Sequence, residues 1–295
     1  MSATKRIVVF GGNGFLGSRI CRAAVARNWD VTSVSRSGRP NWLSITSSPT
    51  PPNWSHSVSW ERGDIFRPTQ WTSLLYGADY VVHSLGILLE ADYKGVISGR
   101  ESPISGLARA FSASKGAGAA NPLERVREQG APEPGLEPPS SEAQLTYEMM
   151  NRDSAILLAK EAAKEGVKAF GFVSAAAGAP VLPSRYVTTK REAEAVVARE
   201  FPEMRGVFFR PPFMYDRSRG ATMGVAAVAT VGSVVDGLTG GKLGGLLGSM
   251  VTKPLKADVV ADAVVEALAD ESVKGPVEVP QLEQLAERAW RKTML

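Results

Sequence analysis

Tyr186 and Lys190 stand four residues apart in Ser184–Phe201, a stretch of alternating charge behind a serine suited to cap a helix. On a helix that spacing puts a phenol and an ammonium on one face. Together they can move a proton onto an oxygen. Reducing a carbonyl needs such a proton and a hydride on the carbon, and Tyr186 would serve as the general acid. A phenol of pKa about 10 is a poor proton donor at neutral pH, so Lys190 is expected to stabilise its anion and lower that value. Ser174, twelve residues before Tyr186 at the end of an expected strand, would hydrogen-bond the substrate oxygen and orient it. Asn151, on the preceding helix, would hold a water that relays protons to Lys190. Its alternative is an ordinary residue on a polar helix face.

The hydride needs a bound carrier, and the start of the chain indicates which kind. Ile7–Phe10 is apolar and mostly β-branched, the pattern of a short buried strand. Gly11, Gly14 and Gly17 follow at intervals of three and lead into the amphipathic run Phe15–Asn28. Glycine turns also simply connect strands to helices, but strand, turn and helix in that order are expected to form a dinucleotide site. Gly11 permits the turn, Gly14 lets the backbone approach a pyrophosphate, and Gly17 seats the helix on the sheet with its N–H groups toward the anion. Asn13, Phe15 and Leu16 complete the cofactor turn.

The other elements must carry that cofactor to Tyr186. Asp30–Ser35 is the second strand. An NAD site usually has a carboxylate about 20 residues beyond the glycines, where this chain has Ser35, Arg36 and Ser37. A guanidinium fork with two hydroxyls suits a 2′-phosphate, so NADP(H) is favoured over NAD(H). NAD(H) stays the alternative, with Arg36 a solvated loop residue. After an irregular Pro40–Ser57, Val58–Trp60 is a third strand leading to Asp64 and Ile65, which are expected beside the adenine. Asp64 has a second reading as a turn or cap residue before Pro68–Tyr76. Tyr80–Leu85 is a fourth strand, which sets Ser84, Leu85 and Gly86 at the carboxyl edge where such sheets bind ligand. His83 within it reads as a satisfied interior histidine.

The helix Tyr147–Glu165, strand Lys168–Ser174, helix Ser184–Phe201 and strand Val207–Arg210 continue the alternation. The fold class is therefore α/β, a Rossmann-type doubly wound parallel sheet. Residues 1–210 are expected to form the NAD(P)-binding domain, with an irregular insert at about 93–144. Residues 211–295 are expected as a small, mainly helical lobe over the carboxyl edge, with helices at Lys256–Ala269 and Gln281–Lys292. Ala221–Leu238 is either the core of that lobe or a surface for polyprenyl lipid, membrane or partner.

Composition narrows the classes. With 295 residues, 44% of them hydrophobic, the chain can bury a large core. A net charge of +4, dispersed along the sequence, does not argue for a nucleic-acid partner. No metal-ligand pattern stands out. Cys21 is the only cysteine, so no internal disulfide forms, and it reads as a small buried hydrophobe. Met1–Arg6 is too short for a leader peptide, and no apolar run reaches the roughly 18 residues that span a bilayer.

Taken together, Gly11 to Gly17, Ser174, Tyr186-Val-Thr-Thr-Lys190 and Arg210-Pro-Pro-Phe-Met-Tyr-Asp216 resemble an extended or atypical short-chain dehydrogenase/reductase. A closer resemblance rests on Val9–Gly17, Val34-Ser-Arg-Ser-Gly38, Val82-His-Ser-Leu-Gly-Ile-Leu-Leu-Glu90, Tyr147-Glu-Met-Met-Asn151 and Lys190-Arg-Glu-Ala-Glu194. These are similar to the fungal mitochondrial NAD(P)-binding subunit of the coenzyme Q (ubiquinone) biosynthesis complex. Relatives of that group include the dehydrogenase-like accessory subunit of respiratory complex I. The resemblance adds Pro211 and Phe213 to the cofactor residues, beside Lys190 at the nicotinamide ribose. It implies a mitochondrial protein, peripheral on the matrix side of the inner membrane, within a multiprotein complex and with a quinone or polyprenyl substrate. Import would then use an internal signal; a cytoplasmic protein is the fallback. Because members of such assemblies can hold NADPH without turnover, a structural or regulatory subunit is the alternative to an enzyme.

Overall fold

Ile7 and Val9 point to one side of their strand, Val8 and Phe10 to the other, and all four are buried. A strand buried on both faces belongs in the middle of a parallel sheet with helices on each side. The computed structural model, which describes residues 4–86, 146–176, 184–216 and 253–294, has that architecture. The strands are β1 (Arg6–Phe10), β2 (Asp30–Ser35), β3 (Val58–Arg62), β4 (Tyr80–His83), β5 (Ala169–Val173), β6 (Arg205–Phe209), β7 (Met214–Tyr215), β8 (Leu255–Lys256) and β9 (Gly275–Val277). Seven form one parallel sheet in the order β3-β2-β1-β4-β5-β6-β9, while β7 and β8 pair separately. The order reverses between β1 and β4, which opens a crevice at their carboxyl ends.

The helices are α1 (Gly17–Val25), α2 (Trp42–Thr46), α3 (Ser154–Lys164), α4 (Ser184–Glu200), α5 (Ala257–Ala269) and α6 (Val279–Lys292). Ile20 and Ala24 of α1 meet Val260, Val264 and Leu268 of α5 and Leu282 and Leu285 of α6 on one face of the sheet. On the other face Ile156 and Leu158 of α3 and Val196 and Val197 of α4 pack with Phe170, Phe172 and Phe208. Trp71 and Leu75 close that second core beside Phe10, whose ring meets Trp71 edge-on at 4.9 Å.

Four elements differ from the sequence expectation. Pro68–Tyr76 holds two short 3-10 turns, Pro68–Gln70 and Thr72–Leu75, which set Trp71 into the core. The expected helix Tyr147–Glu165 begins as a π-helical segment, Glu148–Asp153, and becomes regular only at Ser154. Trp42–Thr46 is a one-turn helix inside the expected irregular loop. Its Trp42 meets Trp54 and Trp60, each at 5.7 Å. Finally β9 adds a seventh strand beyond β6, with Phe208 opposite Pro276. A Gly-Pro strand is tolerated at a sheet edge, where one side of its backbone needs no ladder partner.

The expected boundary at residue 210 therefore does not divide β9, α5 and α6 from the rest. They extend the sheet and form one of its helical layers. The insert 93–144 and the stretch Ala221–Leu238 lie outside the described residues. Among the described residues no helix is long and apolar enough to cross a membrane.

Candidate active site

The glycine turn folds back on itself and against β4. Gly11 has φ +82° and donates its N–H to Val34 O at 2.9 Å, while Gly14 N–H closes the turn on Gly11 O at 2.8 Å. A Cβ on Gly11 would lie 2.9 Å from both Leu85 Cδ2 and Ser84 O, so the end of β4 lies directly against the turn. A Cβ on Gly17 would fall 2.1 Å from Gly11 O, which shows how closely α1 is seated. The first turn of α1 carries no acidic side chain. This cradle fits an anionic dinucleotide: backbone comes where a Cβ cannot, and the first turn of α1 adds no negative charge of its own. Arg19, just inside α1, bonds Phe15 O at 2.6 Å and pairs with Asp216 and Asp258. Its charge is thus answered within the protein.

The turn is tied to the end of β2 by Asn13 Nδ2, which donates to Ser37 Oγ at 2.6 Å. Ser35 is buried and donates to Gly38 O at 2.9 Å, whereas Arg36 is exposed. Asp64 has the geometry of its second reading. Its Oδ1 accepts the N–H of Phe66 at 3.1 Å and its carbonyl accepts Trp71 Nε1 at 2.9 Å, so it shapes the turn after β3. Ile65 is buried in the core beside Trp71.

The residues expected to do chemistry gather beyond β4 and β5. Lys190 is buried, donates to Val173 O at 2.8 Å, and lies 5.1 Å from the Phe172 ring and 5.5 Å from the Tyr186 ring. Burial pushes its amine down to about 7, Glu194 opposing this and Arg191 adding to it. A Cβ on Gly86 would sit 3.4 Å from Lys190 Nζ and 3.1 Å from Asn151 Oδ1. Asn151 is fully buried in the π-helical segment. That segment is bound to α4 by Arg185 on Glu148 and by Arg152 on Glu192 at 2.9 Å. Lys190, Asn151 and Gly86 thus converge next to the glycine turn.

The surroundings of Tyr186 and Ser174 add features that the sequence does not show. Tyr186 is pushed up to about 12 by burial, with the neighbouring Tyr147 phenol adding to the rise. The Lys190 amine meanwhile donates to Val173 O, 5.5 Å from the Tyr186 ring. Ser174, for its part, does not stand alone before the substrate: its Oγ accepts Arg191 Nη1 at 3.1 Å, and Arg191 Nη2 donates to Ala175 O at 2.8 Å. Buried Glu194 accepts from Arg191 at 2.5 Å and also from Arg210, which reaches Glu278 at 2.6 Å. Because a guanidinium only donates, the Ser174 hydroxyl keeps its own hydrogen for another acceptor. The sequence reading assigned no role to Arg191. Its only signal was its place beside Lys190 in Lys190-Arg-Glu-Ala-Glu194.

His83 is interior as expected but only half satisfied, because its buried Nδ1 has no hydrogen-bond partner among the described residues. Ser154 gives its hydrogen to Met150 O at 2.8 Å, so His83 Nε2, 2.8 Å from Ser154 Oγ, must be the protonated nitrogen. Burial, followed by the nearby Lys190 charge, holds His83 down at about 3. Cys21 is buried and its thiol is pushed up by that burial. Pro211 O accepts the N–H of Ala176 at 2.9 Å, and Phe213 is 41% exposed beside β8. Among the described residues no group of three or more side chains could hold a metal ion.

Residues 7–92, from the first strand past Gly86, match the model of the NAD dependent epimerase/dehydratase family. MIOREX complex component 2 of Saccharomyces cerevisiae is 39% identical over 230 residues, covering 73% of this chain and 75% of the yeast protein. The chain belongs to that protein's family. An uncharacterized chloroplastic protein of Arabidopsis thaliana is 45% identical over 83 residues, 28% of this chain and 25% of the plant protein. Among solved structures, UDP-glucuronic acid 4-epimerase of Bacillus cereus, in complex with NAD, superposes with a TM-score of 0.51 at 15% identity. It covers 93% of this chain and 78% of that one. The UDP-Glc/GlcNAc 4-epimerase of Campylobacter jejuni gives 0.53 at 16% identity, over 92% and 76%. At these identities the likeness is one of fold, and it bears out the parallel Rossmann-type sheet.

Proposed function

We propose that this member of the family binds NADP(H) and acts as an oxidoreductase on a carbonyl or alcohol of a quinone precursor in ubiquinone synthesis. The observation that carries this is the convergence of Lys190 Nζ and Asn151 Oδ1 on Gly86, beside the turn that Gly11 forms against Ser84 and Leu85. NADP(H), when bound, supplies or accepts the hydride. Lys190 would leave Val173 O for the ribose hydroxyls and, once charged there, bring Tyr186 down from about 12 into a range where it can give up a proton. Tyr186 protonates the substrate oxygen, Ser174 donates its free hydrogen to the same atom, and Asn151 holds the water that reprotonates Lys190. Arg36 and Ser37 meet the 2′-phosphate, with NAD(H) as the weaker ligand. Ser35 keeps its hydroxyl on Gly38 and shapes that turn. Support for a place in a mitochondrial multiprotein assembly, peripheral to the inner membrane, comes from the sequence resemblance and from kinship to a protein named as a MIOREX complex component.

A second reading has its own support. The raised Tyr186 phenol and the Lys190 amine held by a main-chain carbonyl suit a subunit in which NADPH is structural. The Tyr186→Phe variant separates the two. Loss of a general acid slows such steps by about 10² or more. Cells whose only copy carries Tyr186→Phe should therefore lose most of their ubiquinone, while the purified variant still co-purifies with NADP(H) by mass spectrometry. Normal ubiquinone with the nucleotide retained would establish the structural subunit.

A further inference from the structure

Strands β2 and β3 pair in register, so that Ser35 lies opposite Arg62. Arg36 and Arg62 therefore leave the carboxyl ends of neighbouring parallel strands, about 4.8 Å apart. Gly38, with φ +71°, turns the chain beneath Arg62: a Cβ there would come within 2.9 Å of Arg62 Cγ and 3.8 Å of its Cδ. Arg62 Nε donates to Arg36 O at 3.4 Å, which spends one of its five N–H donors and leaves four. Both side chains are exposed. Asn13, bonded to Ser37, holds the same loop against the glycine turn.

The charge balance sets this corner apart. Among the described residues, every arginine outside positions 36–67 is paired with a carboxylate, or in the case of Arg205 with main-chain carbonyls. Arg36, Arg39, Arg62 and Arg67 pair with none. Of these, Arg36 and Arg62 share one sheet corner, where two unanswered guanidinium groups raise the local positive potential and prepare it for a phosphate dianion.

We propose that Arg62 is a second anchor for the 2′-phosphate of the adenosine ribose, closing on it from β3 while Arg36 approaches from β2. This rests on the NADP(H) reading above and gives the preference two arms instead of one. Arg62 then acts on nucleotides that carry the 2′-phosphate and is indifferent to those that lack it. It reaches the loop through its aliphatic stem, which Gly38 leaves room for, and keeps its fork for the ligand.

Calorimetric titration with adenosine 2′,5′-bisphosphate and with 5′-AMP tests this without any substrate. The wild-type chain should bind the bisphosphate the more tightly. Arg62→Ala should weaken the bisphosphate about tenfold and leave 5′-AMP within about twofold, since an arginine fork on a phosphate typically contributes on that scale. Arg62→Lys should recover only part of the loss. If Arg36→Ala removes the preference and Arg62→Ala does not, the NADP(H) reading stands and the second anchor is overturned. Equal weakening of both probes in Arg62→Ala would overturn it too, by showing that Arg62 only holds the loop. A wild-type chain with no preference would overturn both readings.

Discussion

Replacing Gly17 with alanine is expected to lower affinity for NADPH by about 100-fold or more and to destabilise the protein by about 3 kcal/mol. Ordinarily a glycine-to-alanine change inside a helix stabilises it by about 1 kcal/mol. Here the new methyl would be 2.1 Å from Gly11 O, 2.8 Å from Gly11 C and 2.9 Å from Gly12 Cα. All three are main-chain atoms, so no side chain can rotate away. Either α1 lifts from the turn or Gly11 O moves, and Gly11 O is the acceptor that closes the turn with Gly14 N–H. Both routes spoil the anion cradle. Gly166→Ala is the control: it has φ +70° but nothing within 4 Å of the added methyl, so it carries only local strain, about 1 kcal/mol, far from the site. Urea unfolding and titration with NADPH on both variants give the comparison. A Gly17→Ala chain that binds NADPH like the wild type would mean that the turn does not hold the pyrophosphate.

The contrast between these glycines shows what a sequence can carry. The spacing of Gly11, Gly14 and Gly17 after an apolar strand is a local signal, because the clash it avoids lies within seven residues. Strand β2 was legible to the residue for a similar reason: Asp30–Ser35 is bounded by a turn on each side and buried along nearly all its length. Strand β9 was not. Gly275 and Pro276 are poor strand formers, and they pair only because Arg210 N–H and β6 offer Val277 and its neighbours a parallel edge. The π-helical segment was equally hidden. A 3.6-residue period fits Tyr147–Glu165, and the wider turn at Glu148–Asp153 carries ion pairs to α4 some forty residues on.

The candidate site divides in the same way. Tyr186, Lys190 and Asn151 were found from residue type and spacing, and the fold brings Lys190 and Asn151 to one glycine. Their electrostatics were not legible. The direction of the Tyr186 shift depends on burial and on Tyr147, thirty-nine residues away in sequence, and the downward shift of the Lys190 amine depends on its depth. Arg191 escaped notice because its partners, Ser174 and Ala175, come from a strand end that only the folded chain places beside α4. Buried charge and long-range pairing are tertiary properties. Periodicity does not encode them.

Glu266 concentrates such pairing at one point, and its loss should be the most damaging change outside the nucleotide turn. It is fully buried on α5 and accepts from Arg27 Nη2 at 2.5 Å, after α1, and from Lys292 Nζ at 2.7 Å, at the end of α6. One carboxylate thus ties three helices on one face of the sheet. Burial alone would raise its pKa, but the hydrogen bonds from Lys292 and Arg27 outweigh that and hold it below the usual carboxylate range. Glu266→Ala is expected to cost about 3 kcal/mol at pH 7, because breaking one side of a buried ion pair leaves the partners uncompensated. Glu266→Gln keeps the shape and should cost less, about 1–2 kcal/mol. A carboxylate whose folded pKa is depressed stabilises the fold above its unfolded value of about 4.3 and loses that contribution as pH falls through the folded value. The difference between wild type and Glu266→Gln should therefore be full at pH 7 and shrink progressively below about pH 4. Urea unfolding at a series of pH values measures it. A gap that stayed constant into the acid range would show that Glu266 contributes packing alone and that its pairing with Arg27 and Lys292 adds nothing to the fold.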